Sequence, residues 1–461
     1  PKAMLLFRVG DFYETFGQDA IKASNILGII LTKRKNGAAA HIELAGFPHH
    51  SINTYLPKLV RAGERVAICD QLEDPKMTKK IVKRGVTELV TPGVSFNDEV
   101  LNQKENNFLC AVQLGKKEHG IALLDVSTGE LLVAQGDHEY MNKLISNFSP
   151  SEILFQKNKG KEFESLFGAS HYTFRLDDWV FTTDFAEEIL NKHFGTKSLK
   201  GFGVNDLSEA VIAAGSIFHY LGESEHKKLD HITGISRIEE DKYVWLDRFT
   251  IRNLELVSSV HENAKTLSGI LDETQTAMGS RMLRRWIMLP LKNKKPIEDR
   301  LMVVDFFKAN EKIGFELSQR LKNIGDLERL ISKVAVGRVN PKEVSHLKKT
   351  LMEIDPLKAL LNSNDKPQSL KVLLEKLDPC PKLIELIDVS FTEEPAAQIG
   401  KGEVIKSGWN KELDELREIA YHGKDFLAEL QKREAERTQI PSLKIAFNNV
   451  FGYYIEVRNT H

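Results

Sequence analysis

The sequence predicts a multidomain protein, mixed α/β in its first half and helical through most of its second, closing on a β hairpin. Three observations predict this. The chain has 461 residues, about three domains at roughly 150 residues each. Short β-type apolar runs alternate with helical patterns up to about residue 225. Beyond Lys228, Leu, Lys and Glu dominate through residue 435, with Pro341, Pro356, Pro367, Pro379, Pro381 and Pro395 separating one helix from the next.

In chain order, the first hundred residues place β-type runs at Arg65 to Cys69 and Glu88 to Val90 among short helical patterns, punctuated by Pro48, Pro75 and Pro92. Fourteen Lys plus Arg against eleven Asp plus Glu give this stretch a balance of plus three. A compact, slightly basic α/β module is expected. The runs FLCAVQL (108–114), GIALLDV (120–126) and GELLVAQ (129–135) are joined by GKKEHG and STG, which predicts a β meander. EILFQ (152–156) adds a strand before helices near Ala186 to Leu190 and Glu209 to Leu221. Near the end, Leu413, Leu416, Ala420, Leu427 and Leu430 recur at three-and-four spacing, a narrow apolar seam on a long helix. The β-branched and aromatic run LKIAFNNVFGYYIEV (443–457), centred on Asn448 and Asn449, reads as a hairpin after it.

With 41% hydrophobic and 28% charged residues and a net charge of −1, the composition is that of a globular protein rather than a disordered or collagenous one. No run of about eighteen apolar residues occurs, and no secretory signal pattern opens the chain, so no membrane association is expected. Cys69, Cys110 and Cys380 lie far apart, which argues for neither a disulfide framework nor a thiolate zinc site and fits a reducing, intracellular setting. Pro1 at the start and His461 directly after a strand-like run lead us to expect a fragment.

A search for chemistry is mostly negative. No Gly-Lys is set in a phosphate-cradling loop followed by Ser or Thr, and neither HExxH nor GxSxG occurs. No catalytic residue, no metal site and no cofactor is therefore assigned to this chain. Adjacent His49 and His50 would point different ways on any regular element. Asp125 and Glu130, a conceivable magnesium-dependent pair, read as solvated residues beside a hairpin turn. Positive charge is more informative. LTKRKNG (31–37) concentrates Lys33, Arg34 and Lys35, and KMTKKIVKR (76–84) carries Lys76, Lys79, Lys80, Lys83 and Arg84, both in or near predicted loops where they can reach phosphates. In GSRMLRRW (279–286), Arg281 and Arg285 share a helical face beside Met282 and Trp286, read as core, so these arginines are expected to lock helices together.

The segment LLFRVGDFYETFGQDA (5–20) sets an aromatic and a carboxylate two apart, Phe12 and Glu14, after a Gly-Asp turn. It resembles the mismatch-recognition motif of the MutS family, Phe-x-Glu set in Gly-Asp-Phe-Tyr-Glu. LTKR (31–34), AGFPHHSINTYLPKLV (45–60), RVAICDQLEDP (65–75) and VTPGV (90–94) resemble the rest of that family's N-terminal domain, in order and spacing. LDETQTAMGSRMLRRWI (271–287) and IGDLERLISKVA (324–335) resemble its core, and FNNVFGYYIEV (447–457) its clamp. The resemblance is weakest over residues 106–225. It implies a mismatch-binding domain at 1–100, an RNase H-like connector at 101–225, a helical core or lever bundle at 226–405, and a lever helix with the start of the clamp at 406–461.

The resemblance further implies binding of double-stranded DNA with mispairs or small loops, and a bacterial, cytoplasmic, nucleoid-associated protein. ATP and Mg would be used and a homodimer formed through a C-terminal ATPase and dimerisation domain not present here, and a MutL-type partner is expected. On a strand, Phe12 and Glu14 would share one face with Tyr13 turned inward. A phenyl wedge between base steps costs a few kcal/mol of unstacking and bending, less where a mispair has already weakened stacking. Glu14 would accept from or donate to a displaced base and be repelled by phosphates elsewhere. Lys33 and Arg34 are the first candidates for backbone contact, Lys79, Lys80 and Lys83 the next, and Lys444 and Arg458 the candidates in the clamp segment, where residues 401–461 balance ten against ten. Family members that act at crossovers or stalled ribosomes characteristically lack Phe-x-Glu, so Phe12 and Glu14 stand against that alternative. An RNase H-like nuclease would need three converging carboxylates where only Asp125 is clear, and a pure helical scaffold on residues 230–435 leaves the N-terminal module unexplained.

Overall fold

A computed structural model describes residues 3–36, 39–73, 82–259, 261, 264–362, 365–448 and 452–457. They form two compact units, residues 1–339 with 349–379 and residues 340–348 with 380–461.

The first unit opens with β1 (Met4–Val9), β2 (Phe12–Phe16), α1 (Gly17–Leu27), β3 (Thr32–Asn36), β4 (Ala39–Pro48), α2 (Ile52–Arg61), β5 (Val66–Gln71) and β6 (Arg84–Val90). The strands make one sheet in the order β3-β4-β2-β1-β5-β6, antiparallel except for the β1/β5 pair. Alternation along β1 and β2 sends Met4, Leu6 and Tyr13 into a core with Ala23 and Leu27 of α1 and Leu56, Leu59 and Val60 of α2. Leu5, Phe12 and Phe16 emerge on the opposite face as exposed side chains.

A second sheet follows: β7 (Phe108–Gln113), β8 (His119–Asp125), β9 (Glu130–Gly136), α3 (His138–Phe148), β10 (Glu152–Gln156), α4 (Gly160–Phe167), β11 (Thr173–Leu176), α5 (Thr183–Phe194), α6 (Ser208–Glu223) and β12 (Ser236–Arg237). Its order is β11-β10-β7-β8-β9-β12, with the β7-β8-β9 meander antiparallel and β10, β11 and β12 joining in parallel. Here both faces are covered. Leu109, Ala111, Leu124 and Leu131 pack with Ala186, Leu190 and Ala213 of α5 and α6, while Cys110, Val112, Ile121 and Leu123 pack with Met141, Leu144 and Phe163 of α3 and α4.

The rest of this unit is helical: α7 (Arg248–Asn253), α8 (Leu267–Leu271), α9 (Ala277–Met288), α10 (Lys294–Ala309), α11 (Glu311–Leu321) and α12 (Leu327–Val336), then part of α13 (Pro341–Met352), α14 (Ile354–Leu360) and α15 (Gln368–Glu375). Side-chain caps start several of them. Asp247, Thr266, Thr276 and Asp326 each accept from the backbone N–H three residues on. In the second unit, α16 (Pro381–Ser390) precedes α17 (Lys411–Thr438), a 28-residue helix, and the hairpin β13 (Lys444–Asn448) with β14 (Gly452–Glu456). The long helix and terminal hairpin are those the sequence predicts. The apolar seam of α17 is not closed, since Leu416 and Ala420 are exposed and Leu413, Leu427 and Leu430 half-buried.

Three expectations are corrected. Lys33 and Arg34 lie on strand β3, not in a loop; at a sheet edge, charged side chains on alternating faces remain solvated, so a basic run is compatible with pairing. Asp125 is not a solvated turn residue but fully buried, and Glu130 is ion-paired to Arg285. Met282 and Trp286 are not core but exposed, 56% and 42%.

The arginines do lock elements. Arg281, 4% exposed, donates to both oxygens of Asp326 at 2.7 Å and to Glu328 at 2.6 Å. Burial disfavours its charge, but the two carboxylates outweigh that and push its pKa up. Arg281 also donates to the Gln103 carbonyl at 2.9 Å, and Arg329 to the carbonyls of Asn102 (3.0 Å) and Glu105 (2.8 Å). The chain segment between the two sheets is thereby stapled to α9 and α12.

Candidate nucleic-acid interface

The β1–β2 connection is two residues, Gly10 and Asp11, with Val9 paired to Phe12 and Gly10 at φ +56, a conformation glycine takes without strain. The Asp11 carbonyl accepts from the His49 N–H at 2.8 Å, which ties the turn to the end of β4. Phe12 is the first residue after this turn. It is 46% exposed, whereas Tyr13 next to it is 4% exposed and donates its hydroxyl to Asp70 Oδ2 at 2.8 Å. Burial, reinforced by the Asp70 hydrogen bond, pushes the Tyr13 hydroxyl up to about 12, so it remains a donor at neutral pH. With Tyr13 so anchored, strand alternation directs Phe12 and Glu14 to the uncovered face.

Glu14 is half-buried and meets Arg34: Nη1 donates to Oε2 at 3.1 Å, with the Glu14 side chain 18% and the Arg34 side chain 56% exposed. Register explains the meeting. Glu14 opposes Gly46 on β4, and Arg34 of β3 opposes Ile42 on the same β4, so all four share the face of Phe12. Gly46 is needed, because a Cβ there would sit 2.8 Å from the Tyr13 carbonyl oxygen and 3.4 Å from Glu14 Cγ. Phe12, Glu14, Ile29, Ile30, Thr32 and Leu44 line one open depression on this face. Ile30, 81% exposed, stands at its rim in the α1–β3 connection. Sequence reading passed over Ile30; its signal is an apolar GIIL run (28–31) directly before a basic segment, outside any helix.

The other candidates are dispersed. Lys33 opposes Glu43 and lies on the opposite face of β3 from Arg34. Lys83 is exposed beside the β5/β6 edge, three strands from Phe12, about 14 Å at 4.8 Å per strand. Lys79 and Lys80, with Lys76, fall outside the described residues, as does Arg458. Lys444 is exposed in the second unit at the start of β13, opposite Glu456, while Phe447, Tyr453 and Ile455 are exposed further along the hairpin.

Nuclease chemistry finds no support at Asp125. Its carboxylate accepts from Asn106 Nδ2 (2.8 Å), the Asn107 N–H (3.1 Å), and the Ser127 N–H (3.0 Å) and hydroxyl (2.7 Å), which leaves it committed to the connection between the sheets. Among the described residues no group of three or more His, Cys, Asp or Glu is arranged to hold a metal ion, and no helix is long and apolar enough to cross a membrane.

Comparison with known proteins bears on this arrangement. Residues 1–99 match the family model of MutS domain I, residues 107–233 that of MutS domain II, and residues 249–449 that of MutS domain III. The chain belongs to the MutS family. It is 58% identical over its whole length to the DNA mismatch repair protein MutS of Christiangramia forsetii, 56% to that of Parabacteroides distasonis and 57% to that of Bacteroides thetaiotaomicron. In each case it spans 53% of the relative's length, about half a MutS protein. Phe12, Glu14 and Arg34 all lie within the part matching MutS domain I.

Proposed function

We propose that this chain is the DNA-reading half of a mismatch-repair protein: it binds duplex DNA at mispairs or small loops by inserting Phe12 as an aromatic wedge. The observation that carries this reading is the exposed Phe12 ring beside an open depression, on a strand whose next residue is tied into the core. Inserting a ring unstacks a base step at a cost of a few kcal/mol. Stacking returns about 1 to 3 kcal/mol per base, enough at a step a mispair has softened and not at an intact one. Discrimination is then a difference in bending cost. Glu14 adds a hydrogen bond to the displaced base.

On this reading, residues 1–100 read the mispair, the sheet of residues 101–225 is the RNase H-like connector, residues 226–405 form the lever core, and residues 406–461 begin the clamp. Arg34 is the first backbone contact, with Lys33, Lys83, Lys79, Lys80 and Lys444 contributing as the duplex is held. ATP and Mg, homodimerisation and a MutL-type partner belong to the intact protein, which works in the bacterial cytoplasm at the nucleoid. The test is binding of the intact protein to a duplex with one G·T mispair and to its matched counterpart. Phe12→Ala is expected to abolish the preference while leaving weak, salt-sensitive binding to both; a preference that survives the substitution rejects the wedge.

A further inference from the structure

The proposed function treats Glu14 and Arg34 as separate contacts, one for a base and one for the backbone. The structure joins them. Arg34 Nη1 donates to Glu14 Oε2 at 3.1 Å through a single contact, not a two-pronged one, and more than half of the Arg34 side chain remains open to solvent. A pair of this kind is held weakly, and a phosphate offers arginine a planar, two-pronged alternative. Glu14 lines the same depression as Phe12, and the side chain opposite Glu14 on the intervening strand is absent at Gly46, which leaves Arg34 room to reach it. Lys33, one residue away, sits on the other face and has no part in it.

We infer that Glu14 and Arg34 form a partner-exchange pair, in which Glu14 withholds Arg34 from the DNA backbone until a displaced base takes the carboxylate. This deepens the mismatch reading and rests on it. On matched DNA the pair stays closed, Glu14 is neutralised rather than simply repelled, and Arg34 adds no phosphate contact. At a mispair the carboxyl group turns to the extruded base, and Arg34, released, neutralises a phosphate. Base contact and backbone contact are then made together or not at all, which sharpens discrimination beyond either alone. Glu14 therefore weakens matched binding mainly by detaining Arg34, not by repelling phosphates directly.

These two accounts of Glu14 separate in a double substitution. The intact protein, Glu14→Ala, Arg34→Gln and the pair together are titrated over a salt series with a matched duplex and with the same duplex carrying one G·T mispair. Glu14→Ala is expected to raise matched affinity roughly two- to fivefold and to steepen the matched salt dependence by about 0.9 in log–log slope, one added phosphate contact. In the Arg34→Gln background both changes disappear. Lys33→Gln serves as the charge control, with an effect independent of residue 14. A rise in matched affinity that persists without Arg34, or no rise at all, overturns the exchange while leaving the wedge standing. Wild-type protein without any mispair preference overturns the mismatch reading itself, and the exchange with it.

Discussion

The two sheets of the first unit have six strands each and bury their residues in opposite styles. In the second sheet, β7, β8, β9 and β10 are buried almost continuously, because α3 and α4 cover one face and α5 and α6 the other. In the first, among the described residues, only the α1/α2 face is covered, and β2 alternates strictly: Phe12 out, Tyr13 in, Thr15 in, Phe16 out. An aromatic on an uncovered strand face contributes little to the fold it sits on. The sheet that is fully packed carries the architecture, and the half-covered one has surface left over for a ligand.

The largest effect that tests this contrast is a cavity in the packed sheet. Leu123→Ala, at a fully buried position, is expected to cost about 2 to 5 kcal/mol. Phe12→Ala, nearly half exposed, is expected to cost less than about 1 kcal/mol, both read from urea unfolding. Comparable losses would mean that Phe12 is core and the contrast false. Next, Arg281→Ala removes the shared partner of Asp326 and Glu328 and the bond to the Gln103 carbonyl at the junction between the sheets and is expected to cost about 1 to 3 kcal/mol. A near-neutral result would show that the junction is held by packing instead.

The smallest effect is a pH dependence at the same junction. Burial opposes ionisation of Asp272, but donation from Ser280, Thr274 and Lys104 outweighs it and brings the carboxyl from 3.8 to about 2. A depressed folded value stabilises the fold above the unfolded pKa, so this contribution is full above about pH 4 and lost as pH falls from 3.8 toward 2. Asp272→Asn should flatten that part of the stability curve. An unchanged acid limb would remove Asp272 from the account.

Much of this was legible in the chain itself. Residues two apart on a strand share a face, and β2 does set Phe12 and Glu14 on one side with Tyr13 turned inward, while regular turn spacing located the meander. What escaped is non-local. Half of the donors to buried Asp125 come from Asn106 and Asn107, just before the neighbouring strand β7, and no spacing near residue 125 announces them. Arg281 finds its carboxylates 45 and 47 residues away. The Glu14–Arg34 pair depends on register across β4, set by pairing rather than by either segment. Lys33 and Arg34 looked like a loop because charge runs usually are, and an edge strand tolerates them equally well.

The most direct measurement is site-specific photocrosslinking from residue 12 in the intact protein, with a photoreactive phenylalanine analogue in place of Phe12 and a duplex carrying one G·T mispair at a known step. The account predicts crosslinks concentrated on the bases of that step and nearly absent from the matched duplex. Crosslinks spread evenly along both duplexes, or formed only to protein, would contradict it.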